Sequence, residues 1–206
     1  DNITLTDTTN ETERTKLVYP TVSQMDDASV EEKVNQLIQT SNQLGPQQYS
    51  DTANLEGTVE VTFLDGETLS LVYRWTLTNP EENTGYPTTY LHSLVIDLKT
   101  GEQKHFNDYA SVYNVFYQLK YGLYQIVADN SESDTTARVA VQNLLRNGTV
   151  SADKLATADY PLSESFPPSL FGYVTQDKIG LLIPASDNIG GSIRLEFDRK
   201  DVAKTE

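Results

Sequence analysis

The 206-residue chain contains no cysteine and only two histidines. Without cysteine it can form no disulfide, no thiolate nucleophile and no cysteine-ligated zinc site, although this absence does not identify the cellular compartment. Two histidines cannot supply a three-histidine zinc site. We therefore expect neither a metal centre nor a cofactor.

Basic residues are scarce as well. The chain has 15 lysine and arginine residues against 30 aspartate and glutamate residues, so its formal net charge is −15. Phosphate contacts depend on a surplus of basic side chains, and this balance excludes a non-specific nucleic-acid-binding protein.

The shortage of positive charge is greatest in one continuous segment. Between Val34 and Leu98 the only basic residue is Arg74, and the eight acidic residues there give a local net charge of −7. This pattern predicts an acidic surface. Solubility is one interpretation, and the other is attraction of a cationic partner or repulsion of anionic polymers. Under the second interpretation three glutamates are candidate binding residues: Glu56, Glu60 and Glu67.

No stretch of the sequence is long and apolar enough to predict a membrane span. The longest nearly apolar stretch, residues 179–185, has seven residues and includes Gly180 and Pro184, whereas a spanning helix needs about 20. Residues 1–14 are polar and rich in threonine. They predict a flexible leader of the kind that follows an export signal or membrane anchor, or an ordinary frayed terminus.

Motifs of common enzyme classes are missing: the sequence has no G-x-S-x-G nucleophile elbow, no P-loop and no G-x-G-x-x-G. His92 lies in the middle of a predicted strand and His105 lies thirteen residues later, so neither has metal-ligand spacing. Asp97 lies just before a Lys-Thr-Gly sequence, where turn formation explains it better than catalysis does. We therefore expect no enzymatic activity.

Apolar periodicity predicts an α+β fold, with an antiparallel β-sheet of about six to eight strands and two to three α-helices packed on it. The predicted helices span residues 28–44, 109–128 and 134–147. The predicted strands span residues 17–20, 57–64, 69–77, 88–98, 170–175, 178–184 and 191–198. A loop is predicted over residues 79–87.

The order of these elements divides the chain behind the leader into two modules. Residues 15–106 form an N-terminal module of a strand, a helix and antiparallel hairpins. Residues 107–206 form a C-terminal module in which helices precede antiparallel strands. The length suits one large domain or two small ones, and we expect the modules to share one core.

The helix predicted over residues 109–128 carries two stripes of side chains at about 100° per residue. One stripe is apolar and is expected to face the sheet: Val112, Phe116, Leu119, Leu123 and Ile126. The other lies roughly 130° away and consists of tyrosines: Tyr113, Tyr117, Tyr121 and Tyr124. Tyrosine suits a half-exposed contact with a sugar or a protein, so these four are candidate binding residues. The alternative is a core stripe, packed under the helix at 134–147 or the connection at 157–169.

Several segments, taken in order, resemble a bacterial extracytoplasmic family of paired modules of unknown function. The resembling segments are residues 17–20, 34–38, 69–71, 93–101, 107–109, 171–184 and 191–195. The resemblance extends over residues 15–202 and depends on the order and spacing of these segments. In this family the paired modules form the ectodomain of a lysozyme-sensing anti-sigma factor and precede the catalytic domain of a peptidoglycan deacetylase.

The resemblance implies a non-enzymatic binding or sensing domain of a bacterial envelope or secreted protein, with a basic protein such as lysozyme as the partner. Its expected location is extracellular or in the cell envelope. Two alternatives stay open: an accessory or catalytic module acting on cell-wall glycan, and a structural cell-surface spacer. The resemblance assigns no partner-contact residue to a position in this sequence.

Overall fold

The computed structural model describes residues 2–49, 54–78, 88–127, 134–160, 170–185 and 191–205. The chain divides into two compact units, residues 1–103 and 104–206. Within the described ranges the first unit carries a six-stranded sheet and the second a four-stranded sheet, each accompanied by helices. The predicted α+β class is confirmed, with the strands distributed over two sheets. The loop predicted at 79–87 lies outside the described residues.

The first unit consists of strands and two consecutive helices. Its strands are β1 Thr4–Glu11, β2 Thr15–Ser23, β3 Asn54–Leu64, β4 Thr68–Thr78, β5 Thr88–Asp97 and β6 Glu102–Lys104, and its helices are α1 Ala28–Asn42 and α2 Leu44–Tyr49. The sheet order is β1-β2-β3-β4-β5-β6. Strands β2 and β3 are parallel, because α1 and α2 return the chain to the same end of the sheet before β3 begins.

The first strand corrects the prediction for residues 1–14. Residues 4–11 form β1, which pairs with β2 in antiparallel register, so the expected flexible leader is a strand there. Threonine favours strands through its branched Cβ, and an edge strand needs few buried side chains, so low hydrophobicity misled the prediction. The hydroxyls of Thr8 and Thr21 lie 2.6 Å apart across the pair.

Helix α1 covers the core of the first unit. It starts one residue after Asp27, whose carboxylate accepts hydrogen bonds from the amides of Ser29 and Val30. The apolar periodicity that predicted a helix over 28–44 is thereby confirmed for residues 28–42. The helix and the sheet enclose this core: Leu17, Tyr19, Val22, Val30, Val34, Ile38, Leu55, Leu69, Leu71, Tyr73, Trp75, Leu94, Ile96 and Leu98.

The second unit contains short helices and a small sheet. Its helices are α3 Phe106–Tyr109, α4 Val112–Lys120, α5 Asp134–Arg146, α6 Ala152–Ala156 and α7 Arg199–Val202, and its strands are β7 Gln125–Ile126, β8 Phe171–Val174, β9 Lys178–Pro184 and β10 Ser192–Asp198. The sheet order is β7-β10-β9-β8, with every pair antiparallel. The helix predicted at 134–147 and the three C-terminal strands are confirmed. In the described part of the chain, no helix combines the length and hydrophobicity that crossing a membrane requires.

The single helix predicted over residues 109–128 is wrong. The segment instead forms the end of α3, then α4, a turn and β7. Ser111 caps the start of α4, and Gly122 takes a left-handed conformation (φ +70°) just after its end. Leu119 is buried as predicted, but Leu123 lies beyond the helix and is 52% exposed. The predicted apolar stripe is therefore not continuous.

Candidate functional site

Three tyrosines form an exposed row along α4. Tyr113 and Tyr117 lie on the helix and Tyr121 at its C-cap, each four residues from the next, with 79%, 49% and 59% of their surface exposed. The rings of Tyr117 and Tyr121 have their centroids 4.7 Å apart. On the inner face of the helix, Val115 and Leu119 are fully buried. These three residues, called the tyrosine row below, are therefore surface residues and do not pack under α5 as the core alternative supposed. Residues 161–169 of the connection named in that alternative lie outside the described residues.

Tyr124, predicted to belong to the same stripe, does not belong to the row. It follows the turn at Gly122 and is only 6% exposed. The guanidinium of Arg138 lies 4.8 Å from its ring centroid, and Phe197 packs edge-on against it. The helix ends before position 124, which turns this ring inward. Tyr124 is thus a core residue, and its assignment as an exposed binding residue is corrected.

Arg138 of α5 fastens the turn between α4 and β7. Its two terminal nitrogens donate hydrogen bonds to the carbonyl oxygens of Gly122 and Tyr124, at 3.1 and 2.8 Å. Its Nε donates to the Asp134 carboxylate at 2.7 Å. Because a guanidinium presents its donors in a fixed plane, these contacts hold the end of the tyrosine row in one geometry.

A groove of about 350 Å³ borders the row, beginning at Gln118. Three carboxylates line it, Glu196, Asp198 and Asp201, together with the ammonium of Lys178. We call it the acidic groove. Lys178 and Asp198 form an ion pair at 2.5 Å, and this hydrogen bond raises the pKa of the lysine and lowers the pKa of the aspartate. Lys178 therefore neutralises one of the three carboxylates.

Glu196 is held in place by a buried relay of hydrogen bonds. The Tyr173 hydroxyl donates to its Oε2 at 2.5 Å, and Arg194 Nε donates to the Tyr173 oxygen at 2.8 Å. Burial raises the pKa of Tyr173 far above its ordinary value, so the hydroxyl stays protonated and remains a donor. Glu196 therefore presents a fixed carboxylate to the groove.

A second cavity shares Asp198 with the acidic groove. It is lined by Gln176, Asp177, Asp198, Arg199 and Lys200. Its lining balances acidic and basic side chains, so it lacks the charge excess of the acidic groove. Within the described part of the chain, no group of three acidic or histidine residues is arranged to hold a metal ion.

The glutamates predicted as candidates from charge lie in the first unit. Glu56 and Glu60 are exposed on one face of β3, about 13 Å apart at the usual strand rise. The register places Lys16 beside Glu56 and Arg74 beside Thr58, between the two glutamates. This face is mixed in charge, because strand pairing brings together residues that a continuous segment of sequence does not contain.

Glu67 lies apart from that pair. It is in the turn between β3 and β4, where its carboxylate binds the ammonium of Lys99 at 2.7 Å. The three candidate glutamates therefore do not form one site. The charge excess belongs to the first unit as a whole, which has 17 acidic and 5 basic residues and a formal net charge of −12, against −3 for the second unit.

The residues considered for catalysis have structural roles. His92 is fully buried, accepts a hydrogen bond from Trp75 Nε1 at 3.0 Å and stacks on Tyr73. Burial lowers the pKa of His92 to about 3. The Asp97 carboxylate accepts a hydrogen bond from the amide of Lys99 in the turn after β5, as turn formation predicted.

His105 is the N-cap residue of α3. Its ring stacks on that of Tyr160, with centroids 3.7 Å apart, and its Nδ1 lies 3.7 Å from the Asp108 carboxylate. Burial lowers the pKa of this histidine, partly opposed by Asp108. The Ser41 hydroxyl lies 3.5 Å from His92 Nδ1, but this pair is buried in the core of the first unit, where Ser41 is 8% and His92 0% exposed.

No pattern in the sequence points to the acidic groove. Its residues come from α4, β7, β9, β10 and α7, and they are spread from position 118 to position 201. No short motif joins them, because the fold alone brings them together. The limits of α4, by contrast, could be predicted from the sequence. Ser111 is a typical residue for the start of a helix, and Gly122 is typical of the position just after its end.

No protein-family model matches the sequence, and no curated protein matches it. Among solved structures, the chain is similar to a DUF3298 family protein from Pseudomonas aeruginosa PAO1, with a TM-score of 0.46, 10% identity, and coverage of 98% of this chain and 94% of that chain. It is also similar to a member of the DUF3298 family from Bacteroides fragilis NCTC 9343, with a TM-score of 0.45, 6% identity, and coverage of 99% of this chain and 94% of that chain.

Proposed function

We propose that the protein is a non-enzymatic binding domain and that the tyrosine row is its contact surface for a basic protein. The observation that carries the proposal is the exposure of Tyr113, Tyr117 and Tyr121 along one face of α4. Three large rings in a row on a helix whose inner face is already packed have no role in the core of their unit. Contact with another molecule would explain why these rings are exposed.

The chemistry of the row suits a protein partner. Tyrosine combines a large apolar ring with a hydroxyl that keeps a hydrogen-bond partner, and it is enriched at the centres of protein interfaces. It also loses little conformational entropy when it is immobilised, since it has only two side-chain torsions. A row of tyrosines therefore offers a large contact area at a low entropic cost of binding.

The charge of the chain supports a basic partner. The net charge of −15, of which −12 lies in the first unit, creates a negative potential that attracts cationic proteins over roughly a Debye length, about 10 Å at 0.1 M salt. Such a field raises the association rate and selects against acidic partners. The same charge opposes binding to anionic polymers.

The proposal also includes the location and the partner: the protein is exported, it lies in a bacterial envelope, and its partner is a lysozyme. They rest on the resemblance of the sequence to the family of paired modules. Under this proposal the domain senses or retains a cationic protein outside the cytoplasm. Binding to cell-wall glycan and a purely structural spacer role are the competing outcomes.

A cationic lysozyme is the probe for a titration by calorimetry. The double variant Tyr117→Ala/Tyr121→Ala should weaken its binding at least about tenfold, because exposed aromatic anchors dominate interface energies. Tyr160→Ala is the matched control, since Tyr160 is 49% exposed, as Tyr117 is, but stacks on His105 and is not part of α4. Affinity should also fall as salt rises from about 0.05 to about 0.5 M.

Two results would overturn the proposal. One is lysozyme binding that the double variant leaves unchanged. The other is no binding of lysozyme or of a second basic protein at low salt, together with binding of peptidoglycan fragments that the double variant abolishes; this outcome would assign the row to a glycan.

A further inference from the structure

We infer that the acidic groove binds one long basic side chain, preferably arginine, from the partner. This inference rests on the proposed function, since it assumes that a basic protein contacts α4. It adds a specific chemical group and a specific site, neither of which the tyrosine row defines.

The shape and the lining of the groove fit such a side chain. Its volume of about 350 Å³ lies at the lower end of the range of about 300–1,000 Å³ typical of ligand pockets. Leu123, Tyr124 and Phe197 contribute to its lining beside the carboxylates. Arginine and lysine have the matching division, an apolar stem and a charged head, and they bury the stem while the head remains solvated or paired.

The charge of the groove is unbalanced in the required direction. Glu196, Asp198 and Asp201 face one lysine, Lys178, which is paired with Asp198. A cation that enters finds the fixed carboxylate of Glu196 and the exposed carboxylate of Asp201. Guanidinium presents five donors in one plane, so it can bond to several separate acceptors, whereas an ammonium acts as a point charge.

The buried hydroxyl of Tyr124, a residue that lines the groove, is weakly held. It makes no hydrogen bond of ordinary length in the described part of the structure, although the Gln142 side chain interacts with it and opposes the rise in the pKa of Tyr124 that burial causes. Buried polar atoms are almost always well paired, so this hydroxyl has capacity for a further partner. A ligand rich in N–H donors can supply one.

The groove is continuous with the tyrosine row. Gln118, which follows Tyr117, lines its near side, and Leu123 lies two residues beyond Tyr121. A partner that rests on the row therefore has a side chain within reach of the carboxylates.

The test uses two small probes and the full chain. Acetyl-arginine amide and its neutral isostere acetyl-citrulline amide are titrated into ¹⁵N-labelled protein, and the backbone amide shifts of Gln118, Leu123 and Gln125 are followed. The arginine probe should bind at least about tenfold more tightly than the citrulline probe, because the carboxylates of the groove pair with a guanidinium but not with a neutral ureido group. Acetyl-lysine amide should fall between the two.

Charge variants test the site itself. Asp201→Asn should weaken arginine binding severalfold, and Lys178→Gln should strengthen it, because it releases Asp198 from its internal pair. Asp153→Asn is the control, since it removes one exposed carboxylate of the same unit that does not line the groove. Equal binding of arginine and citrulline, or no change of affinity in the Asp201 and Lys178 variants, would overturn the inference.

Different results would contradict this inference and the proposed function. If lysozyme binding depends on the tyrosine row but not on Asp201 or Lys178, the groove is wrong and the proposed function stands. If arginine occupies the groove while lysozyme binding does not depend on the row, the proposed function is wrong.

Discussion

Lowering the pH should destabilise the first unit through His92. The pKa of this buried histidine is about 3, whereas an unfolded chain has its ordinary value of 6.5. Between these values the unfolded chain binds a proton that the folded chain does not, so stability is fully present above pH 6.5 and decreases below it. The expected loss between about pH 7 and about pH 5 is about 2 kcal/mol, from about 1.4 kcal/mol per pH unit.

Urea unfolding at the two pH values measures this loss. The single tryptophan of the chain, Trp75, donates a hydrogen bond to His92, so its fluorescence reports on the same core. His92→Gln keeps an acceptor but cannot be protonated, and most of the pH dependence should disappear in this variant. His105→Gln is the control, because His105 lies in the second unit, and the pH dependence seen by Trp75 should persist.

Direct titration of the ring separates the histidine from the carboxylates. The imidazole resonances of His92 should not change between about pH 7 and about pH 5 in the folded protein, because a pKa near 3 leaves the ring neutral there. A resonance that titrates near pH 6.5, or equal urea midpoints at both pH values, would refute the reasoning.

Further outcomes follow from the second unit and from the absence of catalytic motifs. Tyr124→Ala should lower the free energy of unfolding by about 3 kcal/mol, whereas Tyr117→Ala should change it by less than about 1 kcal/mol; urea titration compares the two. Arg138→Ala should cost about 1–3 kcal/mol, because two backbone carbonyls and Asp134 lose a donor, and its thermal midpoint should fall accordingly. Assays with peptidoglycan and acetylated oligosaccharides should give no turnover above buffer; reproducible turnover that His92→Ala or Asp97→Ala abolishes would contradict this.

The parts of the fold that sequence could predict are those with local signals. Helix α1 has an apolar stripe and polar residues at its start, and the β3–β4 hairpin alternates in polarity around Asp65–Gly66. Local signals also explain the failure at residues 109–128. There the apolar spacing continues through Gly122, so periodicity predicts one uninterrupted helix. The cap residues that divide the segment are a weaker signal than this periodicity.

The candidate site was predictable in part for the same reason. Tyr113, Tyr117 and Tyr121 follow helical spacing, and a helix through position 120 is enough to align them. The inward position of Tyr124 and the contacts of Arg138 depend on packing between elements distant in sequence. Glu56 and Glu60 show the same limit, because only the strand register places basic neighbours beside them.

Mapping the surface that a cationic lysozyme covers tests the central claim most directly. Hydrogen–deuterium exchange of the free and the lysozyme-bound protein, at low salt, reports protection for each segment. Protection should concentrate on residues 112–123, which carry the tyrosine row and the near side of the acidic groove. Protection confined to the first unit, with exchange in residues 112–123 unchanged, would contradict that claim.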